Sequence, residues 1–199
     1  MSIPASDVTG SASTWPALLT WQAVDAPRME SVRVQLSGRR IKASGRIVGA
    51  ECAEHPAFSA SYDLVTDENG VTRRLSVRTT QAAGERHMSL TRSGEGIWMT
   101  DNGTDHHRSA FGGALDVDVV FSPFFNALPI RRYDLQLGAD DVEVPVVYLN
   151  LVDLRVEEAT VVYSSASDGI HVLSPVASSS VTVDEDGFVL EYRGLAKRI

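Results

Sequence analysis

Apolar and polar residues alternate along most of the chain. Residues 31–38 and 40–48 do so on either side of Gly38, and residues 58–65 and 71–79 do so around the Asp67-Glu68-Asn69-Gly70 turn. A period of two is typical of a strand with one buried face, and Asn-Gly favours a tight hairpin turn. Turn residues recur about every eight to twelve positions, and we find no long stretch with helical periodicity. The pattern predicts an all-β, antiparallel protein.

The same reading predicts a first strand starting near Leu19 and further strands at residues 86–92, 97–99, 133–137, 142–151, 155–157, 160–164, 170–173, 179–183 and 188–192. Pro145 cannot donate a backbone hydrogen bond, which indicates an edge position or a bulge in its strand. Residues 1–14 show no pattern and are predicted to be a flexible lead-in. Residues 15–199 are predicted to form a single domain.

Residues 113–133 are the stretch around which the rest is organised. Leu115, Val117, Val119 and Phe121 alternate with Asp116 and Asp118, which predicts a strand over residues 115–121. Pro123 ends that ladder, with Ser122 as a candidate N-cap and the proline at the first helical position. The apolar residues that follow suit a short helical turn or a packed loop, and a doubled arginine closes the segment. A run this apolar predicts a plug, residues 122–132, inserted into the interior.

This stretch also carries a resemblance. The Asp116-x-Asp118 strand followed by Ser-Pro-Phe-Phe-Asn-Ala-Leu-Pro-Ile-Arg-Arg resembles the signature of the bacterial "putative glycolipid-binding" family. Ser122 stands where that family usually has threonine, and Tyr133 where it has leucine. Weaker similarities lie at residues 45–49, 72–75, 96–98 and 183–192, so the resemblance extends from about Thr20 onward. It implies an unclosed antiparallel β-barrel, similar to that of bacterial lipoprotein carriers.

Periodicity alone does not distinguish a sandwich from a barrel. The apolar segment around Phe124 and Phe125 favours a curved, open barrel whose concave face it fills, and the family resemblance supports that choice. We therefore expect a single-domain, antiparallel, unclosed β-barrel with a short helical or loop plug over residues 122–132.

Composition narrows the function classes. The chain has 199 residues, a formal charge of −8 and 43% hydrophobic residues, as expected of a soluble globular protein. An acidic balance argues against nucleic acid and against an anionic membrane surface as partners. No apolar run approaches the roughly 20 residues that span a bilayer, and no secretory signal follows Met1. A single cysteine, Cys52, suits a reducing compartment, so we expect a soluble, cytoplasmic protein.

Two aspartates are the first candidates for chemistry. Asp116 and Asp118 are two apart on a strand, so their carboxylates point the same way, about 7 Å apart. In one reading an arginine pairs with a carboxylate and locks the plug; in the other the charges line a pocket and bind a polar headgroup. Asn126 has the same two readings, as a residue that holds local backbone groups or as a ligand contact. The aromatic residues are either core or a surface for an acyl chain or a sugar ring.

The candidate ligand-binding residues are Asp116, Asp118, Phe124, Phe125, Asn126, Leu128, Arg131 and Arg132. The Asp105-His106-His107 run is predicted to be an exposed loop rather than a metal site. No catalytic, metal-binding or phosphate-binding motif is found, so neither a cofactor nor a metal is expected.

The leading hypothesis is non-catalytic binding of an amphipathic small molecule, a glycolipid by the resemblance, in the concave face of the barrel. The alternative is a small enzyme that uses Asp116, Asp118 and Arg131 for acid–base chemistry. A third class is a structural protein that assembles through its open sheet edges, with a homodimer as the simplest form.

Overall fold

The computed structural model describes residues 15–138 and 140–199; the predicted flexible lead-in at residues 1–14 lies outside them. Strands account for most of the described chain. They are β1 (Ala17–Ala23), β2 (Arg28–Ser37), β3 (Arg40–Gly49), β4 (Phe58–Thr66), β5 (Thr72–Gln81), β6 (Gly84–Arg92), β7 (Trp98–Asp101), β8 (His106–Ser109), β9 (Asp116–Val119), β10 (Val142–Leu149), β11 (Val156–Ala166), β12 (Gly169–Leu173), β13 (Ser178–Val183), β14 (Val189–Tyr192) and β15 (Ala196–Arg198).

All of these strands belong to one continuous sheet. Its order runs from β8 back to β1, crosses to β15, and then runs back to β9. The crossing is the antiparallel pair β1–β15, in which Trp21 lies opposite Arg198. The two edge strands, β8 and β9, do not pair with each other, so the sheet curls without closing. The predicted all-β, open-barrel fold is confirmed.

One pair departs from the antiparallel pattern. β9 runs parallel to β10, with Asp116 opposite Val146 and Val119 opposite Leu149. Parallel neighbours need a long crossover connection, and here the plug segment and the turns after it supply that connection. Both sides of β9 are buried at Asp116 and Val117. The clean division into one apolar and one solvent-facing side was therefore wrong for this strand.

The plug segment, residues 122–132, lies inside the curled sheet. It forms a 3-10 turn (Phe124–Asn126) followed by a short helix, α1 (Ala127–Arg132). Phe124 and Phe125 are buried, with ring centroids 6.2 Å from Phe188 and 5.1 Å from Tyr62, respectively. Burying each such ring contributes about 1.5–3 kcal/mol, which explains why the segment lies inside. Ile130 packs in a second core cluster, so the plug contacts both halves of the sheet.

Several predicted elements differ in detail. Residues 133–137 do not form a strand but a 3-10 turn (Leu135–Leu137) between Asp134 and Gly138, whose φ angles of 53° and 82° are incompatible with a ladder. The two strands predicted at residues 155–157 and 160–164 are one strand, β11, and β15 was not predicted. Pro145 fits its predicted edge position, because β9 pairs with β10 only from Val146 onward.

Candidate functional site

A cleft of about 490 Å³ opens beside the plug segment. Its walls come from the start of β2, from β9 and β10, and from the loops before β13 and after β14. Its lining residues include Arg28, Asp118, Phe121, Asn126, Tyr148 and Tyr192. A depression of about 520 Å³ also lies over the β4–β5 turn, but polar and charged side chains such as Asp67 and Arg73 form most of it. Aromatic walls with a few polar groups are the usual form of a small-molecule site, so the cleft is the candidate.

Asp118 supplies a carboxylate to the cleft from β9. Within the described residues it forms no ion pair, and the backbone N–H of Val119 is its hydrogen-bond donor. The pKa of Asp118 is raised to about 6: burial raises it most, the hydrogen bond from the Val119 backbone lowers it, and the neighbouring Asp116 carboxylate adds to the rise. At neutral pH the group is thus largely ionised and lacks a cation.

Tyrosines surround this carboxylate. Tyr148 lies directly opposite Asp118 in the β9–β10 pair. Burial, with a smaller contribution from the Asp118 charge, raises the pKa of Tyr148 to about 12 and shifts the pKa values of Tyr163 and Tyr192 upward as well. Tyr163 donates its hydroxyl to Asn126 Oδ1 at 3.0 Å. The phenols therefore remain neutral, and those of Tyr148 and Tyr192, which line the cleft, can donate hydrogen bonds to a ligand.

Arg28 contributes a cation at the other part of the cleft. It comes from the first residue of β2 and is only 7% exposed. Its guanidinium stacks 4.1 Å above the ring of Phe121, and Nη1 donates to His55 Nε2 at 3.2 Å. Phe121 has a φ of 73°, a left-handed conformation that a bulky side chain rarely adopts. Such strain is found preferentially at functional sites.

Glu30 lies beneath the cleft, two residues after Arg28 on β2. It is 2% exposed, and its Oε1 accepts hydrogen bonds from the hydroxyls of Tyr62 and Ser122, both at 2.6 Å. Its Oε2 is buried without a hydrogen-bond partner among the described residues. Burial raises the pKa of Glu30 to about 7, opposed by hydrogen bonds from Ser122, Tyr62 and the Phe124 backbone and by the Arg28 charge. Ser122 caps no helix here, since its hydroxyl binds Glu30 and Pro123 occupies the cap position, so the predicted N-cap was wrong.

Asp116 lies on the same strand as Asp118 but forms a buried bidentate ion pair with Arg132, in which Nη1 lies 2.8 Å from Oδ1. Burial raises the pKa of Asp116, and the Arg132 guanidinium opposes that rise. Arg132 also donates to the backbone oxygen of Gly70 at 3.3 Å, so the pair fastens α1 to the β4–β5 turn. Arg131 lies elsewhere, with its guanidinium on the ring of Phe188.

Only part of the predicted set therefore meets at the cleft. Asp118 and Asn126 line it, Asp116 and Arg132 pair with each other, and Arg131 donates to the backbone oxygens of Asp186 and Gly38. Phe124, Phe125 and Leu128 lie in the core rather than on the cleft wall. Sequence reasoning missed Arg28 and Glu30, although both lie in phase with the inward-facing Val32 and Val34 of β2. Two charged residues, Arg28 and Glu30, in phase with the buried side of a strand were the signal that could have revealed them.

Comparison with known proteins places the chain in a family. The family model described as "Putative glycolipid-binding" matches residues 18–198. The chain belongs to this family. A crystal structure of a DUF1089 family protein from Pseudomonas aeruginosa aligns with a TM-score of 0.69 at 24% identity, covering 95% of this chain and 100% of that one. That likeness shows the fold, and the similarity to lipoprotein carriers stays a prediction. No curated protein matches.

The described part of this family member shows neither a cluster of metal ligands nor a membrane-spanning helix. Among residues 15–138 and 140–199, no three His, Cys, Asp or Glu side chains converge as metal ligands. His106 and His107 are exposed as predicted, but the loop prediction was wrong, because both residues lie on strand β8, which pairs with β7. In the part of the chain that the structure describes, no helix has the length and apolar character needed to cross a bilayer.

Proposed function

We propose that this protein binds an amphipathic small molecule in the cleft beside the plug segment, rather than on the apolar side chains of the plug. Asp118 is the strongest support: it is a half-buried carboxylate that faces the cleft and forms no ion pair with any described residue. Leaving such a group unpaired costs free energy that a bound polar headgroup can offset. The apolar part of the ligand would lie against Phe121, Tyr148 and Leu195, which also line the cleft. The family description makes a sugar-bearing amphiphile the first probe.

The three residues of the competing enzyme hypothesis do not act together in this structure. It combined Asp116, Asp118 and Arg131, but Asp116 is held by Arg132, and Arg131 contacts Gly38, Asp186 and Phe188 instead. An acid–base role would therefore have to use Asp118 without those partners. Binding without catalysis is the function that the arrangement supports best.

Isothermal titration with dodecyl maltoside, below its micelle-forming concentration, tests the proposal. We expect Asp118→Asn to weaken binding by about ten- to a hundredfold, the range for a hydrogen bond to a charged group. Ala177→Trp should block the cleft, because Ala177 is an exposed lining residue whose side chain packs in no core cluster. Asp141→Asn, at an exposed aspartate away from the cleft, is the matched control and should bind like the wild type.

Equal binding by the wild type, Asp118→Asn and Ala177→Trp would move the site away from the cleft. Absence of binding by the folded wild type to any alkyl amphiphile would overturn the proposed function.

A further inference from the structure

Arg28 is a buried cation without an ion pair. It is 7% exposed, and within the described residues no carboxylate forms a salt bridge with it. Its guanidinium donates to His55 Nε2, and the other ring nitrogen of His55, Nδ1, lies 3.0 Å from the backbone oxygen of Pro56. That geometry fits a neutral imidazole that donates from Nδ1 and accepts at Nε2. A neutral acceptor satisfies one N–H of the guanidinium and does not balance its charge.

The nearby acids do not replace an ion pair. Glu30 uses Oε1 for Tyr62 and Ser122, and Glu54 is exposed to solvent at the rim, where water screens its charge. Both attract Arg28 only at a distance, and burial lowers the pKa of Arg28 despite them. Arginine nonetheless stays protonated in proteins, so the guanidinium keeps its charge. Arg28 is therefore a buried, charged group on the cleft wall, and no carboxylate of the described residues forms a salt bridge with it.

The guanidinium is also held in place. Stacking on Phe121 fixes its plane, and Phe121 itself is fixed by the rings of His55 and Phe58, with centroids 5.2 and 6.4 Å away. A planar fork held with free N–H groups at a cleft wall has the geometry that binds carboxylate or phosphate in a bidentate manner.

We infer that the ligand of the cleft carries an anionic group, a phosphate or a carboxylate, next to its apolar part, and that Arg28 binds this group. The inference rests on the proposed function and specifies the headgroup of its ligand. Asp118 would then accept from hydroxyl groups on the same headgroup. Arg28 lines the cleft from β2 and Asp118 lines it from β9, so both can contact one ligand.

The opposite assignment is a cationic headgroup paired with Asp118. It is weaker, because Asp118 is less buried than Arg28 and, with a pKa of about 6, escapes its unpaired charge by protonation just below neutral pH.

Titration with three amphiphiles of one chain length separates these cases: dodecyl phosphate, dodecyl maltoside and dodecyl trimethylammonium, each below its micelle-forming concentration. We expect the wild type to bind dodecyl phosphate at least about tenfold more tightly than dodecyl maltoside, equivalent to about 1.4 kcal/mol. Arg28→Met should abolish that preference while keeping maltoside binding, and Arg28→Lys should keep part of it. Arg86→Met, at an exposed arginine on β6, should leave it unchanged.

The outcomes are distinguishable. If phosphate and maltoside bind equally, or the trimethylammonium compound binds best, the anionic inference is wrong while the proposed function survives. If no amphiphile binds the folded wild type, the proposed function itself fails. Inorganic phosphate is the control for the source of the anion: tight binding of phosphate alone, lost in Arg28→Met, would confirm the anion site and overturn the amphipathic ligand. Should Arg28→Met not fold, the Arg28→Lys comparison decides.

Discussion

Replacing Glu30 by glutamine should change how the stability of this protein depends on pH. The carboxyl group has a pKa of about 7 in the folded protein, against an ordinary value of 4.5. Between those two values the folded protein holds a proton that the unfolded chain has released. The free energy of unfolding therefore falls as the pH rises through this window, and the loss is complete above about pH 7.

The magnitude follows from the shift. Each pKa unit corresponds to about 1.4 kcal/mol, so the rise at Glu30 corresponds to about 3 kcal/mol. Glutamine does not titrate, and its carbonyl oxygen can still accept from Tyr62 and Ser122. Relative to the wild type, Glu30→Gln should therefore become about 3 kcal/mol more stable on going from below pH 4.5 to about pH 8.

Urea unfolding followed by tryptophan fluorescence measures this difference, because Trp21 and Trp98 are fully buried. The wild type alone is not sufficient, since Asp118 also has a raised pKa and contributes a slope of the same sign. Subtracting the Glu30→Gln curve from the wild-type curve isolates Glu30. Glu95→Gln, at an exposed glutamate, should follow the wild type at every pH. A wild-type-minus-variant difference that does not change with pH would refute the reasoning.

Two further predictions concern the framework around the cleft. Asp116→Asn and Arg132→Met should each lower the free energy of unfolding by about 3–5 kcal/mol, because each leaves a buried charged or polar partner uncompensated. The double variant should lose much less than the sum of the two single losses. Urea unfolding measures these values, and additive effects below about 1 kcal/mol would contradict the ion pair as a unit. Gly45→Ala should lower the free energy of unfolding by about 1–3 kcal/mol, because its new methyl group would overlap the buried ring of Tyr62. Ser44→Ala, at an exposed neighbour, is the comparison. A Gly45→Ala variant as stable as the wild type would show that Tyr62 moves freely.

The strands that the sequence predicted well are those whose buried side can be recognised from their own alternating residues and the turns that flank them. β2 to β5 alternate with clear turn residues between them, so the periodicity and the Asn69-Gly70 turn were sufficient to place both hairpins. β15 has three residues and forms because β1 offers an open edge, a partner that no local pattern reveals. Residues 133–137 were predicted to be a strand and are not one. Their apolar and polar residues do alternate, but Asp134 adopts a left-handed conformation that a strand excludes.

The candidate site was predictable only in part, for a related reason. Asp118 and Asn126 were found because they belong to the compact motif around the plug segment. Arg28 and Glu30 lie some ninety residues earlier in the chain and reach the site only because β2 curls beneath β9. The predicted strand began at residue 31, so Arg28 and Glu30 lay outside it, although their phase with Val32 and Val34 places them inward. What a carboxylate faces depends on the tertiary fold, so the pattern could not separate Asp116, which forms an ion pair with Arg132, from Asp118, which forms none within the described part of the chain.

The hydroxyl of Ser122 connects the plug segment to strand β2. Ser122 begins the plug segment, and its hydroxyl donates to Glu30 on the strand that also carries Arg28. The family resemblance places a threonine at this position, and threonine carries the same hydroxyl, so the exchange keeps the bond to the buried carboxylate. Because Ser122 also lines the cleft, the plug, the carboxylate and the guanidinium form one packed unit behind the cleft wall. Thus the plug part of the motif builds the back of the site, while the groups best placed to contact a ligand come from β2, from β10 and from Asp118 on β9, the strand that begins the motif.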